Sequence, residues 1–293
     1  MKTTFNIYEK ITEKFISALD KNEVPWHKPW CGVDMAISHA NGRAYSMLNQ
    51  FLLDNIAGEW LSFKQIEDGG GHIIKGKKPH FVVFWKFLPK YGEDENGNSV
   101  EIGTFPILKY YNVWHISEVE GIKPKYKREF KSDATPNELA EGIFNNYVER
   151  EGLNVERDRE VDKACYTPIF DKIQVPKMSQ FENTEYYYST LFHEMVHSTG
   201  AEKRLCRKGI VEFNTFGSEQ YSKEELVAEL GAAFLVNHVG LDTEKSFDNS
   251  LAYIQSWRSA LSKDPKLIVS AASKAEQAVK YILTGAKSQS EDA

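Results

Sequence analysis

The sequence predicts an α+β protein of two domains, residues 1–128 and 129–293, the first mixed α+β and the second mainly helical with a small sheet. Three observations carry this. Runs of β-branched and aromatic residues lie between helical patterns in the first half, whereas apolar residues at helical spacing dominate the second. Between them, Glu118–Pro136 holds two prolines and Lys123-Pro-Lys-Tyr-Lys-Arg128 without apolar periodicity, and reads as a linker. Composition changes across it too. Residues 1–130 carry 17 Lys+Arg against 16 Asp+Glu and five of the six tryptophans, while residues 131–293 carry 19 against 26.

The first helix is predicted over residues 6–20, where Ile7, Ile11, Phe15 and Leu19 recur every fourth position opposite Glu9, Lys10, Glu13 and Lys14. Pro25 and Pro29 then forbid a regular helix, and a second helical stretch spans Met47–Asn55. After Gly69-Gly-Gly71, the runs Phe81–Leu88 and Phe105–Ile116 read as strands, with Pro89–Gly103 as a long polar hairpin loop. Beyond the linker, helices are predicted at Asn137–Glu151, Thr184–Ser198, Lys223–Asn237, Asp248–Leu261 and Ile268–Leu283. Short strands fall at Ala164–Ile169 and Lys172–Val175, and Ile173–Pro176 is open to two readings, an edge strand lining the cleft beside which an extended backbone could pair, or an ordinary short strand.

With 41% apolar and 27% charged residues the chain has enough to bury a core, which excludes disorder as its main state. No apolar run approaches the ~20 residues of a membrane span, and Met1-Lys2-Thr3-Thr4 leads into no signal-type stretch. Cys31, Cys165 and Cys206 are odd in number and far apart, which suits neither a disulfide framework nor a zinc knuckle. A soluble protein of a reducing compartment, the cytoplasm, is expected.

The most specific signal is His193-Glu194-Met195-Val196-His197. Two histidines four apart on a helix leave one face a turn apart, so both imidazoles reach one metal ion, and Glu194 is placed to take a proton from a metal-held water. Tyr186–Phe192 upstream and Gly200 downstream frame a helix with a stop. A catalytic zinc takes three protein ligands and keeps one position open. The third is expected on Ser222–Phe234, where Glu225 and Glu229 share a face. Glu225-Leu-Val-Ala-Glu229 looks like the gluzincin pattern in which the first acid binds the metal, which favours Glu225 with Glu229 holding a histidine ring. Ser222 three residues before Glu225 is also a capping box, which would leave the metal to Glu229. Zinc suits two imidazoles and a carboxylate; manganese and cobalt accept the same donors.

In the first half the chemistry is binding. Cations that track phosphates and aromatic faces that stack on bases hold single strands. Trp26, Lys28 and Trp30 sit on a proline-stiffened loop, followed by Arg43, Tyr45, Lys77 and Lys78. Segment 24–92 is nevertheless only slightly basic, with 8 Lys+Arg against 5 Asp+Glu.

Over about residues 6–283 the chain resembles the ArdC antirestriction family of conjugative plasmids and transposons. The matching residues include Val24-Pro-Trp-His-Lys-Pro-Trp30, Asn41-Gly-Arg-Ala-Tyr45, Leu48-Asn49, Trp60-Leu-Ser-Phe63 and Tyr111-Asn-Val-Trp114. They continue with Tyr166-x-Pro168, Asp171-x-Ile173, Tyr187 through His197, Phe216-Gly-Ser-Glu219 and Glu224 through Phe234. The resemblance implies an N-terminal single-stranded-DNA-binding domain, a C-terminal zincin-like metalloprotease domain similar to Spartan-type proteases, and protection of incoming DNA from restriction. The protein substrate is not named by the sequence; a DNA-bound protein is the expected class. The competing expectation is a non-catalytic protein that coats single-stranded DNA and whose metal site is structural or vestigial.

Overall fold

The structure is a computed structural model that describes residues 6–21, 35–93, 98–126, 136–212, 219–241 and 251–287. Trp26, Lys28, Trp30 and the expected join at residues 128–129 lie outside them. The α+β layout is the one expected.

Helix α1 (Ile7–Leu19) starts where the Asn6 side chain accepts the Tyr8 backbone N–H, and buries Ile7, Ile11, Phe15 and Leu19. Then come β1 (Ala36–Ser38), α2 (Met47–Leu52), β2 (Gly58–Ser62), α3 (Phe63–Asp68), β3 (His72–Ile73), β4 (His80–Glu93), β5 (Ser99–His115) and β6 (Val119–Glu120). The main sheet has the order β1-β2-β5-β4, with β1 parallel to β2 and the other pairs antiparallel. Two buried amides of α2 lock it. Asn49 donates to Val83 O at 2.8 Å and accepts from Val83 N–H at 2.7 Å, while Gln50 makes the same pair of bonds to Ala36.

The expected loop Pro89–Gly103 is largely ladder: Pro89 pairs with Thr104, Lys90 with Gly103 and Glu93 with Ser99, across an irregularity at Lys90/Tyr91. The ribbon is solvated there, so polar side chains carry no burial cost, and β4 is an edge strand, where a proline removes no ladder bond. The expected linker is also partly structured. Val119 and Glu120 pair with Ile73 and His72, and the Lys125 and Tyr126 backbone N–H groups both donate to Glu59 Oε1 at 2.7 Å.

The second half comprises α4 (Pro136–Glu151), β7 (Asn154–Glu156), β8 (Cys165–Thr167), β9 (Lys172–Gln174), α5 (Thr184–Thr199), α6 (Lys208–Val211), α7 (Glu219–His238), α8 (Leu251–Lys263) and α9 (Leu267–Thr284). The small sheet has the order β7-β9-β8, so β9 is central and its reading as an edge strand does not hold. Ile173 pairs with Val155 on one side and Tyr166 on the other, which leaves no free backbone edge for a substrate.

One apolar core joins α5, α7 and α9 with Phe144 and Tyr147 of α4, and it takes in α1 and α2 of the first half. Phe15 and Phe51 meet edge to face at 6.3 Å, and Thr12 donates to Pro265 O at 2.8 Å. Helices α5 and α7 approach closely at Gly231, where a Cβ would stand 2.7 Å from Val196 Cγ2. Among the described residues no helix is long and apolar enough to cross a membrane.

Candidate metal centre

Helix α5 begins at Asn183, whose side chain accepts the Tyr186 N–H at 2.7 Å. Three turns later it presents His193 and His197 with their Nε2 atoms 3.0 Å apart. Helix α7 brings the Glu225 carboxylate to both: Oε1 lies 3.4 Å from His197 Nε2 and Oε2 3.5 Å from His193 Nε2. A ligand atom from each of the three lies within 4.8 Å of the others. Tetrahedral zinc with bonds of about 2.0–2.2 Å spaces its ligands about 3.3–3.5 Å apart, so the donor set fits a small divalent cation.

Both rings turn their other nitrogen to a carboxylate. His193 Nδ1 is 3.6 Å from Glu229 Oε1, and His197 Nδ1 is 3.4 Å from Glu224 Oε1. This orients Nε2 inward on each ring. Helix α7 starts at Glu219, so Ser222 lies inside its first turn and the alternative in which it caps the helix at Glu225 does not hold. The Glu225 side chain is directed at the histidines instead.

The Glu224 contact was not anticipated from the sequence, where Glu225 and Glu229 drew attention by sharing a helical face. Glu224 is 6% exposed and is held by Arg207, whose Nη2 donates to Oε1 at 2.6 Å and whose Nε reaches both oxygens at 3.1 Å. Arg207 also donates to Thr199 Oγ1 at 2.6 Å and to Val196 O at 2.8 Å, which ties it to the end of α5. Gly200 makes room, since a Cβ there would lie 3.0 Å from Arg207 Nη2.

The field of the site favours positive charge. Burial pushes the His197 imidazole down, but Glu224 and Glu225 outweigh it and raise it to about 10. His193 is raised in the same way, with Glu225 the main opposing influence to burial. For Glu225 burial pushes upward, and the two histidines more than reverse it, so its carboxyl lies well below the usual range. Glu224 is held at about 2, because Arg207 and His197 overcome burial. Glu194, 6% exposed between the histidines, adds its negative charge to both rings.

A second buried cluster steadies the motif helix. Arg204 donates to Ser198 O at 2.9 Å, to both Asp171 oxygens at 2.8 Å and to Glu151 Oε2 at 3.1 Å. It thereby links α5, the turn before β9 and the end of α4. Asp171 sits in the left-handed region at φ 44°, held also by Tyr166 OH at 2.8 Å.

Of the sequence-predicted binding residues of the first half, Arg43, Tyr45, Lys77 and Lys78 are among the described residues. Tyr45 lies against Phe84, with ring centroids 6.1 Å apart. Arg43 and Lys78 are exposed, and Lys77 is 3.6 Å from Glu118 Oε1.

Comparison with known proteins places this arrangement. A zincin-like metallopeptidase family model matches residues 144–274, and the model of the N-terminal domain of anti-restriction factor ArdC matches residues 5–114. DNA primase TraC of Escherichia coli is 29% identical over 296 residues; the match spans 94% of this chain but 27% of that protein, so the chain corresponds to about a quarter of it. The uncharacterized protein y4eC of Sinorhizobium fredii is 29% identical over 290 residues, covering 94% of this chain and 91% of that protein. Among solved structures, the metal-free antirestriction protein ArdC of plasmid R388 superposes with a TM-score of 0.73 at 31% identity, over 95% of this chain and 97% of that one. Its Mn(II)-bound form does so with a TM-score of 0.74 at 30% identity and the same coverage. Nearly the whole length of both chains is matched in sequence and in fold, and the chain therefore belongs to the ArdC antirestriction family.

Proposed function

We propose that this chain is a single-stranded-DNA-binding antirestriction protein of a mobile element, working in the cytoplasm, whose second domain is a zinc-dependent endopeptidase. The domains divide near residue 128, and the substrate is a protein bound to DNA. The observation that carries the reading is the convergence of His193 Nε2, His197 Nε2 and the Glu225 carboxylate beside Glu194.

In this reading His193, His197 and Glu225 would hold zinc, which when bound would supply Lewis acidity to a scissile carbonyl and to water. Manganese or cobalt would occupy the same donors. Glu194 accepts the proton of the attacking water on its carboxylate and returns it to the leaving amine. Glu224 and Glu229, which face the Nδ1 atoms, would keep the imidazole Nε2 atoms turned toward Glu225 and available to a cation.

Support for DNA binding is the ArdC N-terminal match over residues 5–114 and the primase name of one relative. Arg43, Tyr45, Lys77 and Lys78, with Trp26, Lys28 and Trp30, are the proposed contacts.

Cleavage of a DNA-bound protein tests the proposal, comparing the native chain with Glu194→Gln, with and without zinc and single-stranded DNA. Cleavage should require zinc, rise with DNA, and fall by at least about 10²-fold in the variant while the metal stays bound. Undiminished cleavage by Glu194→Gln would refute the role of Glu194. DNA affinity insensitive to salt would refute phosphate tracking.

A further inference from the structure

The β4–β5 hairpin packs on the body near Phe81 and Leu108 on one face, and its other face, beyond the buried Val82, carries exposed rings beside a groove. On the first, Phe81 and Leu108 pack against the main core, and Lys10 stands over the rings of Phe81 at 4.4 Å and Tyr110 at 4.9 Å. The register pairs Val82 with Tyr111, Phe84 with Lys109 and Lys86 with Ile107, and strand alternation puts these six residues on the opposite face. There Phe84 is 46% and Tyr111 49% exposed, with ring centroids 5.8 Å apart. Tyr45 closes the row at 6.1 Å from Phe84. Beneath the rings a groove of about 310 Å³ has Ser38, Ser62 and Gln65 among its walls.

Exposed aromatic rings in a row are unusual on a solvated surface, and the charge around these points to their occupant. Strands β4 and β5 carry Lys86, Lys90 and Lys109, and their two acids, Glu93 and Glu101, lie toward the tip of the ribbon, past the register position of the rings. Lys86 and Lys109 are exposed on the same face as the rings. A ligand that offers flat apolar faces and regularly spaced anions matches this pattern, and a duplex does not, because its base faces are stacked away. The bonds from Asn49 to Val83 hold the hairpin in place, so the surface is formed in advance of binding.

We propose that this face is a base-stacking platform for single-stranded nucleic acid, with Tyr45, Phe84 and Tyr111 taking bases and Lys86 and Lys109 taking phosphates. It rests on the single-strand reading above and moves the centre of binding from the contacts proposed there to the sheet.

The test is fluorescence anisotropy of the full chain with a labelled oligo(dT) about 16 nucleotides long, at several salt concentrations. Phe84→Ala and Tyr111→Ala should each weaken binding by roughly 5- to 100-fold, while Tyr111→Phe, which keeps the ring, stays near the native value. Lys86→Ala and Lys109→Ala should each lower the log–log salt slope by about 0.7. Phe170→Ala, an exposed aromatic of the other half, should leave affinity unchanged. Circular dichroism of each variant separates loss of binding from loss of fold. If folded Phe84→Ala and Tyr111→Ala bind like the native protein, the platform is overturned and strand binding lies elsewhere. If those variants keep DNA affinity but turn a native dimer into a monomer, the face joins two copies and the platform is again overturned. If the native chain binds no oligo(dT), the single-strand reading falls with it.

Discussion

Arg207 Nη2 donates to Glu224 Oε1 at 2.6 Å, and that same oxygen faces His197 Nδ1 at 3.4 Å. A buried guanidinium thus fixes the acid that fixes the ring. The pair bridges the end of α5 and the start of α7, the two helices that supply the candidate donors.

Glu224→Gln should weaken metal binding by about 10- to 100-fold, measured by competition with a chromogenic chelator. It should also destabilise the fold, since Arg207 keeps its charge in a buried site without a charged partner. The double variant Arg207→Met/Glu224→Met separates the two effects: stability recovers and metal affinity does not. Native affinity in the double variant would show that Glu224 has no part in orienting His197.

Glu225 and Glu229 differ in what they face, and removing each should reveal it. Glu225→Gln is expected to abolish stoichiometric uptake of zinc in a chelator-treated sample. Glu229→Gln, which alters the carboxylate facing His193 Nδ1, should cost about 10- to 100-fold in affinity. The reverse order of effects, read by titration calorimetry, would exchange their roles.

Gly231→Ala should destabilise the chain by about 1–3 kcal/mol, because the added carbon meets Val196 Cγ2 at 2.7 Å. Val196→Ala in the same chain removes the opposing methyls and should restore part of the loss. Urea denaturation of the single and double variants measures the coupling. Additive losses would mean that the two helices do not press on each other at this point.

Asp171 gives a pH signature. Burial alone would push its carboxyl up, but the bonds from Arg204, Lys203 and Tyr166 together hold it at about 2, below an unfolded value of about 3.9. A depressed carboxyl stabilises the fold above the unfolded value, and the contribution is lost as pH falls toward the folded one. The stability gap between the native chain and Asp171→Asn should therefore be full at about pH 6 and shrink between about pH 5 and pH 2. A gap independent of pH would mean that the carboxylate charge is not what holds this turn.

Local periodicity made much of the fold readable. The fourfold spacing of Ile7, Ile11, Phe15 and Leu19 gave α1 and its buried face, and the β-branched and aromatic runs gave the centres of β4 and β5. Strands β1, β3, β6 and β7, two or three residues long and outside any longer β-branched or aromatic run, escaped because they exist only through their partners. Pro89–Gly103 was read as a loop for its polarity, yet a ribbon solvated on both faces accepts polar residues without penalty. Edge or centre in a sheet is likewise invisible along the chain, so both readings of β9 stay open until its two partners make it central.

By itself, the order of residues determined what one helix can decide: that His193 and His197 leave α5 on one side with Glu194 between them, and that Glu225 and Glu229 share a face. Only the tertiary structure decided which carboxylate of α7 meets which ring nitrogen, and that Glu224 and Arg207 belong to the site at all. The reason is physical. Spacing along a helix follows from its 3.6-residue turn, whereas a contact of about 3 Å between two helices depends on how closely they pack, here through Gly231 against Val196 and a guanidinium buried between their ends.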